Sequence, residues 1–449
     1  MKHSVRLSIL ISVCLLAGCA SPFNDSLDYT RIEEGGETLG LEPDFSYPIP
    51  EQTPDILINQ AGYEPEEEKT AIFQGQELEE EYLIYDGQGE IAYQGTLETT
   101  PFGAEASGIY LADFTDLQQE GEYYFYHSTL GYSDPFHIKE EIRLSLEQDI
   151  LHKLQNTKEK KTAQLCYETA CILLSLELYG EKQGYPEEVD TLLRENIESL
   201  LLAQDPETGG VFEILPPADG FSEEASPISL VATAEFAGVM GMYANDMGAA
   251  DRQLAARCVN AGEAAYRSIQ DSLDNVSYDA GYFAAAQLLR QTGRSKYSQA
   301  VIRYFGMKEE IKSYTEYDFS IFADVAYLNS LYGVNLERSD YVMQRLREKA
   351  EQIAASSKQS SYYISDLRES YDITGILQDM LTMSVVNYVI SNHEYRSILE
   401  AHYHYLLGRN PEALCLLEGK GIRRSPEEEE QIGNNIRGGM FYLLLQSIK

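Results

Sequence analysis

The chain has 449 residues, 43% of them hydrophobic, with a formal net charge of −39. That length admits two to three domains with real cores. The charge excludes nucleic acid as a partner, which needs a basic footprint, and argues against adhesion to anionic lipid headgroups. With no tryptophan and 33 tyrosines, any stacking on a flat ligand falls to tyrosine, which offers less ring area.

In chain order, Lys2 and Arg6 form a short basic start, Leu7–Leu16 an apolar run, and Ala17-Gly18-Cys19 a small-residue cleavage site. This is the pattern of a secretory signal, too short to remain as a membrane span. A cysteine directly after Leu16-Ala17-Gly18 resembles the bacterial lipobox. That resemblance implies removal of residues 1–18, lipidation of Cys19 and an extracytoplasmic, membrane-anchored lipoprotein at the cell surface or in the periplasm. One acyl chain anchors weakly, and lipobox cysteines typically carry more than one, as the resemblance implies. Residues 19–54 are broken by Pro22, Pro43, Pro48, Pro50 and Pro54 and hold no period, which predicts a flexible tether.

Residues 55–140 change to short β-rich runs separated by turn signals such as Asp86-Gly87 and Glu120-Gly121. About seven strands in that span predict an immunoglobulin-like β-sandwich. Residues 141–449 turn to helical spacing and predict eleven or twelve helices joined by short loops. Consecutive helical hairpins of this kind close into a toroid or stack as a solenoid. Beyond Cys14 and Cys19, the cysteines Cys166, Cys171, Cys258 and Cys415 lie in apolar, helix-like contexts and are predicted to be buried free thiols. No CxxC or paired-histidine spacing occurs, so no metal or cofactor is expected. His402 and His404, two apart on a helix, are predicted to face different ways. The Glu427–Glu430 run reads as a solvated acidic loop.

Several blocks resemble glycoside hydrolase family 9. Ile56–Tyr63 is similar to "ILVNQVGY" of the family's N-terminal Ig-like domain. Ala112–Asp116 and Gly121–Tyr124 are similar to "ADFSD…GTYY". Leu200–Phe212, Ser226–Met240, Ala285–Gly293 and Tyr405–Asn410 resemble, in order, "LLKMQDP…GGVY", "SPVSTAATANFAAVM", "AAAELYRATG" and "YLLGRN". The resemblance spans residues 55–449. It implies a multidomain chain in which an immunoglobulin-like sandwich precedes an all-α domain of (α/α)6-barrel type. It also implies a polysaccharide substrate of the β-glucan class, cut with inversion.

Inversion needs a carboxylate base and a carboxylic acid set apart by room for a water. The family takes its base from an "Asp-Ala-Gly-Asp" loop before the first long barrel helix. Here Leu151–Lys161 runs almost directly into the helix at Thr162 without it. The family's acid is the glutamate of "Asn-Glu-Val" ahead of the last helix, and the matching position is Asn435. An amide cannot donate the proton, a step worth typically 10²–10⁴-fold. The family's "His-His-Arg" substrate motif is represented by Ile422-Arg423-Arg424, which retains Arg424. Asp279-Ala280-Gly281 shares three letters with the base loop but lies at a later helix start. Asp274, Asp279, Glu316 and Asp318 all sit near helix starts, where carboxylates cap. Asp279 and Asp318 are the weak candidates for a relocated pair. Tyr278, Tyr282, Tyr314 and Tyr317 are candidates for stacking on sugar, Tyr278 and Tyr317 foremost. The expected task is binding of polysaccharide with hydrolysis lost or strongly reduced. The alternatives are an active divergent inverting glycosidase and a structural envelope lipoprotein.

Overall fold

The structure is a computed structural model that describes residues 52–99, 108–156, 161–181, 184–216, 226–306, 317–333, 335–365, 373–423, 432 and 435–449. The predicted leader with Cys19, nearly all of the predicted tether, Tyr314, Glu316, Arg424 and Glu427–Glu430 lie outside the described residues. The chain divides into two compact units. One holds Ile150–Lys349 and Asn434–Gln446. The other holds the described residues up to Asp149, Ala350–Gly433 and Ser447–Lys449.

Eight strands make up the second unit's β-rich part: β1 Ile56–Leu57, β2 Thr70–Gln74, β3 Glu81–Asp86, β4 Ile91–Thr99, β5 Ile109–Asp113, β6 Gly121–His127, β7 Gly131–Tyr132 and β8 Phe136–Ile138. Their order is β1-β2-β5-β4-β3-β6-β7, with β8 also on β6, and every pairing is antiparallel. β4 serves both halves of the sandwich: Ile91–Thr96 pairs with β3 and Leu97–Thr99 with β5. Alternation decides which side chains enter the core. Tyr82 and Ile84 of β3 and Tyr123 and Phe125 of β6 join Tyr63, Phe73, Tyr93, Phe114 and Phe136 inside. Edge-to-face contacts such as Phe114 on Phe125, with centroids 5.1 Å apart, fill a core that has no disulfide and no tryptophan.

Helices begin at α1 Ile142–Asn156. There follow α2 Thr162–Ser175, α3 Glu187–Leu202, α4 Leu230–Asp246, α5 Arg252–Ile269, α6 Tyr278–Thr292, α7 Ser295–Gly306 and α8 Ser320–Leu328. The last are α9 Leu336–Gln359, α10 Ile373–Ile390, α11 His393–Leu406 and α12 Asn435–Ile448. Twelve α-helices among the described residues match the spacing read from the sequence. Cys166 and Cys171 lie in α2 and Cys258 in α5; all four described cysteines are free and buried. Cys415 departs from its expected helical context. It follows α11 in irregular chain, where its amide donates to Arg423 O at 2.8 Å. α10 is long and apolar enough to cross a bilayer, yet 56% of it is buried, as in a core helix.

Within the second unit, two of the sequence blocks meet. Asn59 Nδ2 lies 3.0 Å from His404 Nδ1, and the Gln60 amide donates to Leu407 O at 2.8 Å. Gln60 Oε1 accepts from the amides of Ile422 and Arg423, each at 2.9 Å. Gly408, at φ +125°, passes so close to Ile58 O and the Gln60 side chain that a Cβ would meet both below 3.0 Å. Only glycine supplies that backbone cheaply. "ILINQAGY" and "YLLGRN" are thus two sides of one packing contact.

Candidate functional site

In the first unit, the start of α6, the turn before α8, and the middles of α2 and α4 bring together the carboxylates and rings singled out by sequence. Asp279 is fully buried, and its Oδ2 accepts the Phe319 amide at 3.1 Å. It therefore ties the segment ahead of α8 to the first turn of α6. Asp318 beside it is exposed and accepts the Ser320 amide at 2.8 Å, an Asx-turn contact with the first amide of α8. Tyr317 is buried, its ring 5.6 Å from Tyr167 of α2. Phe319 stacks on Phe283 at 4.9 Å and meets Tyr167 edge-on at 5.1 Å. The Tyr317 ring is thus engaged in core packing.

Near Asp279 lies Glu235, in the middle of the apolar helix α4. It is buried, and its Oε2 has no hydrogen-bond partner among the described residues. Burial, and then the proximity of Asp279, push its carboxyl up to about 8, so it is neutral at physiological pH. Glu235 belongs to no catalytic motif in the sequence. Its signal was a lone carboxylate inside an otherwise apolar helical stripe.

Tyr278 is half-buried and belongs to a second cluster. Its ring packs on Tyr282 at 6.0 Å and on Tyr304 at 5.6 Å. Tyr282 donates to Asp324 Oδ1 at 3.2 Å, and Arg345 pairs with the same carboxylate. Burial lifts Asp324 to about 6 against the pull of Arg345. Arg345 in turn lies 5.7 Å from the Tyr341 ring centroid. A half-buried tyrosine beside a charged guanidinium can bind a polyol through ring carbon and hydrogen-bond donors.

Asn435 opens α12, but its side chain lies outside the described residues, as do Arg424 and residues 157–160 just before α2. Asp274 is an exposed partner of Arg303. In the second unit, the rings of His402 and His404 part company. His402 Nε2 accepts the Ser365 amide at 2.8 Å, while His404 packs 5.2 Å from Tyr63. Burial lowers the pKa of both, that of His402 to about 4. No group of three or more metal-ligating side chains occurs among the described residues.

The second unit also holds a cleft of about 780 Å³ lined by Glu64, Glu67, Arg143, Arg396, Glu400 and Lys449, among others. Arg143 fills its wall. It donates to Ile448 O at 2.5 Å, pairs with Glu67 and lies 5.7 Å from the Tyr403 ring. Its partners make it a structural anchor of the chain's C-terminus.

Residues 51–131 match the cellulase N-terminal Ig-like domain, and residues 220–428 match glycosyl hydrolase family 9. The chain thus pairs a cellulase-type Ig-like domain with a glycosyl hydrolase family 9 domain. Its fold is also that of solved family 9 structures. AaCel9A in complex with cellobiose-like isofagomine is 20% identical, with a TM-score of 0.70, covering 82% of this chain and 85% of that one. A single-mutant thermostable endoglucanase from Alicyclobacillus acidocaldarius gives the same figures. A family 9 protein of Bacteroides ovatus is 16% identical with a TM-score of 0.69, covering 88% and 98%. These likenesses establish a sandwich followed by a helical domain of the (α/α)6-barrel class. A search of curated proteins finds no match to the sequence. The family 9 match begins after the segment where the base loop is sought and ends before Asn435.

Proposed function

We propose that this chain is a membrane-anchored family 9 lipoprotein that binds β-glucan-type polysaccharide and has lost, or nearly lost, hydrolysis. The observation that carries this reading is the state of the two carboxylates that could replace the missing pair. Asp279 is fully buried and accepts the Phe319 amide, so exposed Asp318, which accepts the Ser320 amide, has no accessible partner in that pair. An inverting reaction needs a base that reaches water and an acid that reaches the leaving oxygen. Asn435 at the family's acid position supplies no proton. Both family catalytic positions fall outside the matched stretch, which supports divergence at those two points. Tyr278, Arg345 and the Arg424 position remain as polar and aromatic groups suited to holding sugar.

One observation favours the second reading, a divergent glycosidase. Glu235 is a neutral carboxylic acid at physiological pH close to Asp279, and environments that push two carboxyls apart are how acid and base roles are divided. With 1% of its surface exposed, it is out of reach of a polymer.

Reducing-end release from soluble mixed-linkage β-glucan tests the choice. The mature protein should release none above a heat-killed control, and Asp318→Asn should change nothing. Asn435→Glu alone should not restore cutting, because the base is still missing. Release by the natural chain that Asp318→Asn or Asp279→Asn abolishes would overturn the reading.

A further inference from the structure

The cleft in the second unit is lined by charge of mostly one sign. Part of its wall is the loop Glu64-Pro65-Glu66-Glu67-Glu68 after β1, joined by Glu141 just ahead of α1. Another part is one side of α11, where His393, Arg396, Ser397 and Glu400 recur at helical spacing. The cations of the lining are already engaged. Arg143 donates to Ile448 O and pairs with Glu67, Arg396 donates to Glu400 Oε1 at 3.1 Å and to Ile448 O at 2.9 Å, and Lys449 pairs with Glu147. Glu64 accepts the Arg143 amide at 3.0 Å, and Glu68 has Ser397 at 3.3 Å and His393 at 3.4 Å. What lacks a partner among the described residues is carboxylate: exposed Glu66 and Glu141, and Oε1 of Glu67, whose side chain is only 3% exposed. Arg143 Nε is the exception, and it lies 3.8 Å from Glu64 Oε2. Buried Lys69 donates to Pro65 O at 2.6 Å and to Glu67 O at 3.0 Å, which fixes the acidic loop in place.

We propose that this cleft binds a linear organic polyamine, an extended cation with two or more ammonium groups. The proposal is independent of the polysaccharide reading. Six carboxylates line the cleft against Arg143, Arg396 and Lys449, and the whole chain carries −39, so an anion is repelled at both scales. An uncharged ligand would strip water from Glu66, Glu141 and Glu67 without neutralising them. A metal ion needs carboxylates that converge, and no group of three or more metal-ligating side chains occurs among the described residues. Carboxylates spread along a cleft suit ammonium groups spread along a chain, each a compact charge with three donors. Leu144, 36% exposed in the lining, offers apolar surface to the methylenes between them. Glu67 has most to gain. Burial, against the pull of Arg143, lifts its carboxyl to about 7, and an ammonium at Oε1 supplies the partner that oxygen lacks. A volume of about 780 Å³ holds a small organic molecule. Because Lys69 holds the loop in advance, little backbone freedom is lost on binding.

Isothermal titration of the mature chain with spermidine, at pH 8 and low salt, tests this. One saturable site is expected. Glu66→Gln combined with Glu141→Gln should weaken it about 2- to 25-fold, the range of two exposed ion pairs. Glu187→Gln combined with Glu188→Gln makes the same change of charge on exposed residues of α3 and should leave the affinity within about twofold. All four side chains are exposed, and thermal melts check that each variant is folded. Absence of a saturable site overturns the proposal. Equal weakening by the two double variants also overturns it, because the charge of the whole molecule would then be the attractor. Calcium alone is added to the spermidine complex in a parallel titration. Retention of spermidine at equimolar calcium supports a polyamine site, and its displacement there overturns the assignment in favour of a metal ion.

Discussion

Glu235 is the residue at which burial and chemistry conflict most sharply. Its carboxyl has an ordinary value of 4.5 and rises to about 8 when folded. Between those values the folded state holds a proton that the unfolded state has released, so stability is fullest below about pH 4.5 and falls as pH rises to about 8. Glu235→Gln keeps the shape and removes the titration. Thermal melts at pH 5 and pH 8.5 should show the variant gaining on the natural chain as pH rises, by about 4 kcal/mol. Equal pH slopes in the two proteins would mean that Glu235 is ionised in the fold. Legibility at this scale was uneven. Asp318 could be read as a cap from its place before a helical run, and the structure has it accepting the Ser320 amide. The burial of Asp279 and Tyr317 could not be read, because it depends on Tyr167, 112 to 150 positions earlier in the chain, reaching the same spot. Local spacing carries no information about such a partner.

At the scale of elements, helical period predicted α4 and α6 well, because each has apolar side chains at nearly every buried turn. What the period did not convey is how closely they approach. A Cβ at Gly238 of α4 would lie 2.2 Å from the Phe283 ring of α6, and that ring is stacked on Phe319. Gly238→Ala should therefore destabilise by about 1–3 kcal/mol through overpacking, although alanine is the better helix former. Chemical denaturation measures this, and a stabilised variant would show that the two helices can separate without cost. In the sandwich, alternation identified the strands and the turn at Asp86, whose Oδ1 accepts the amides of Gln88 and Glu90 at 2.9 Å. It did not reveal the division of β4 between two neighbours, since a strand's change of partner leaves no mark on its own pattern. The contact between "ILINQAGY" and "YLLGRN" was likewise invisible. Each block was recognisable alone, while their hydrogen bonds join positions nearly 350 residues apart.

For the whole molecule, charge, leader and fold make one consistent proposal. A chain of net charge −39 gains nothing from anionic lipid heads, so the proposed membrane attachment rests on lipid at Cys19. Cys19→Ser should move the protein from the membrane pellet to the soluble fraction in bacterial cells expressing it, with both domains still folded. Retention in the pellet would shift the anchor to another part of the chain. The central claim is that a family 9 fold here holds polysaccharide without cutting it. It is tested most directly by incubating the purified mature chain with soluble mixed-linkage β-glucan and analysing the products by mass spectrometry. The same preparation is run in parallel through a gel containing that glucan. The account predicts retardation in the gel with no oligosaccharide above the heat-killed control; a ladder of oligosaccharides that disappears in Asp318→Asn would contradict it.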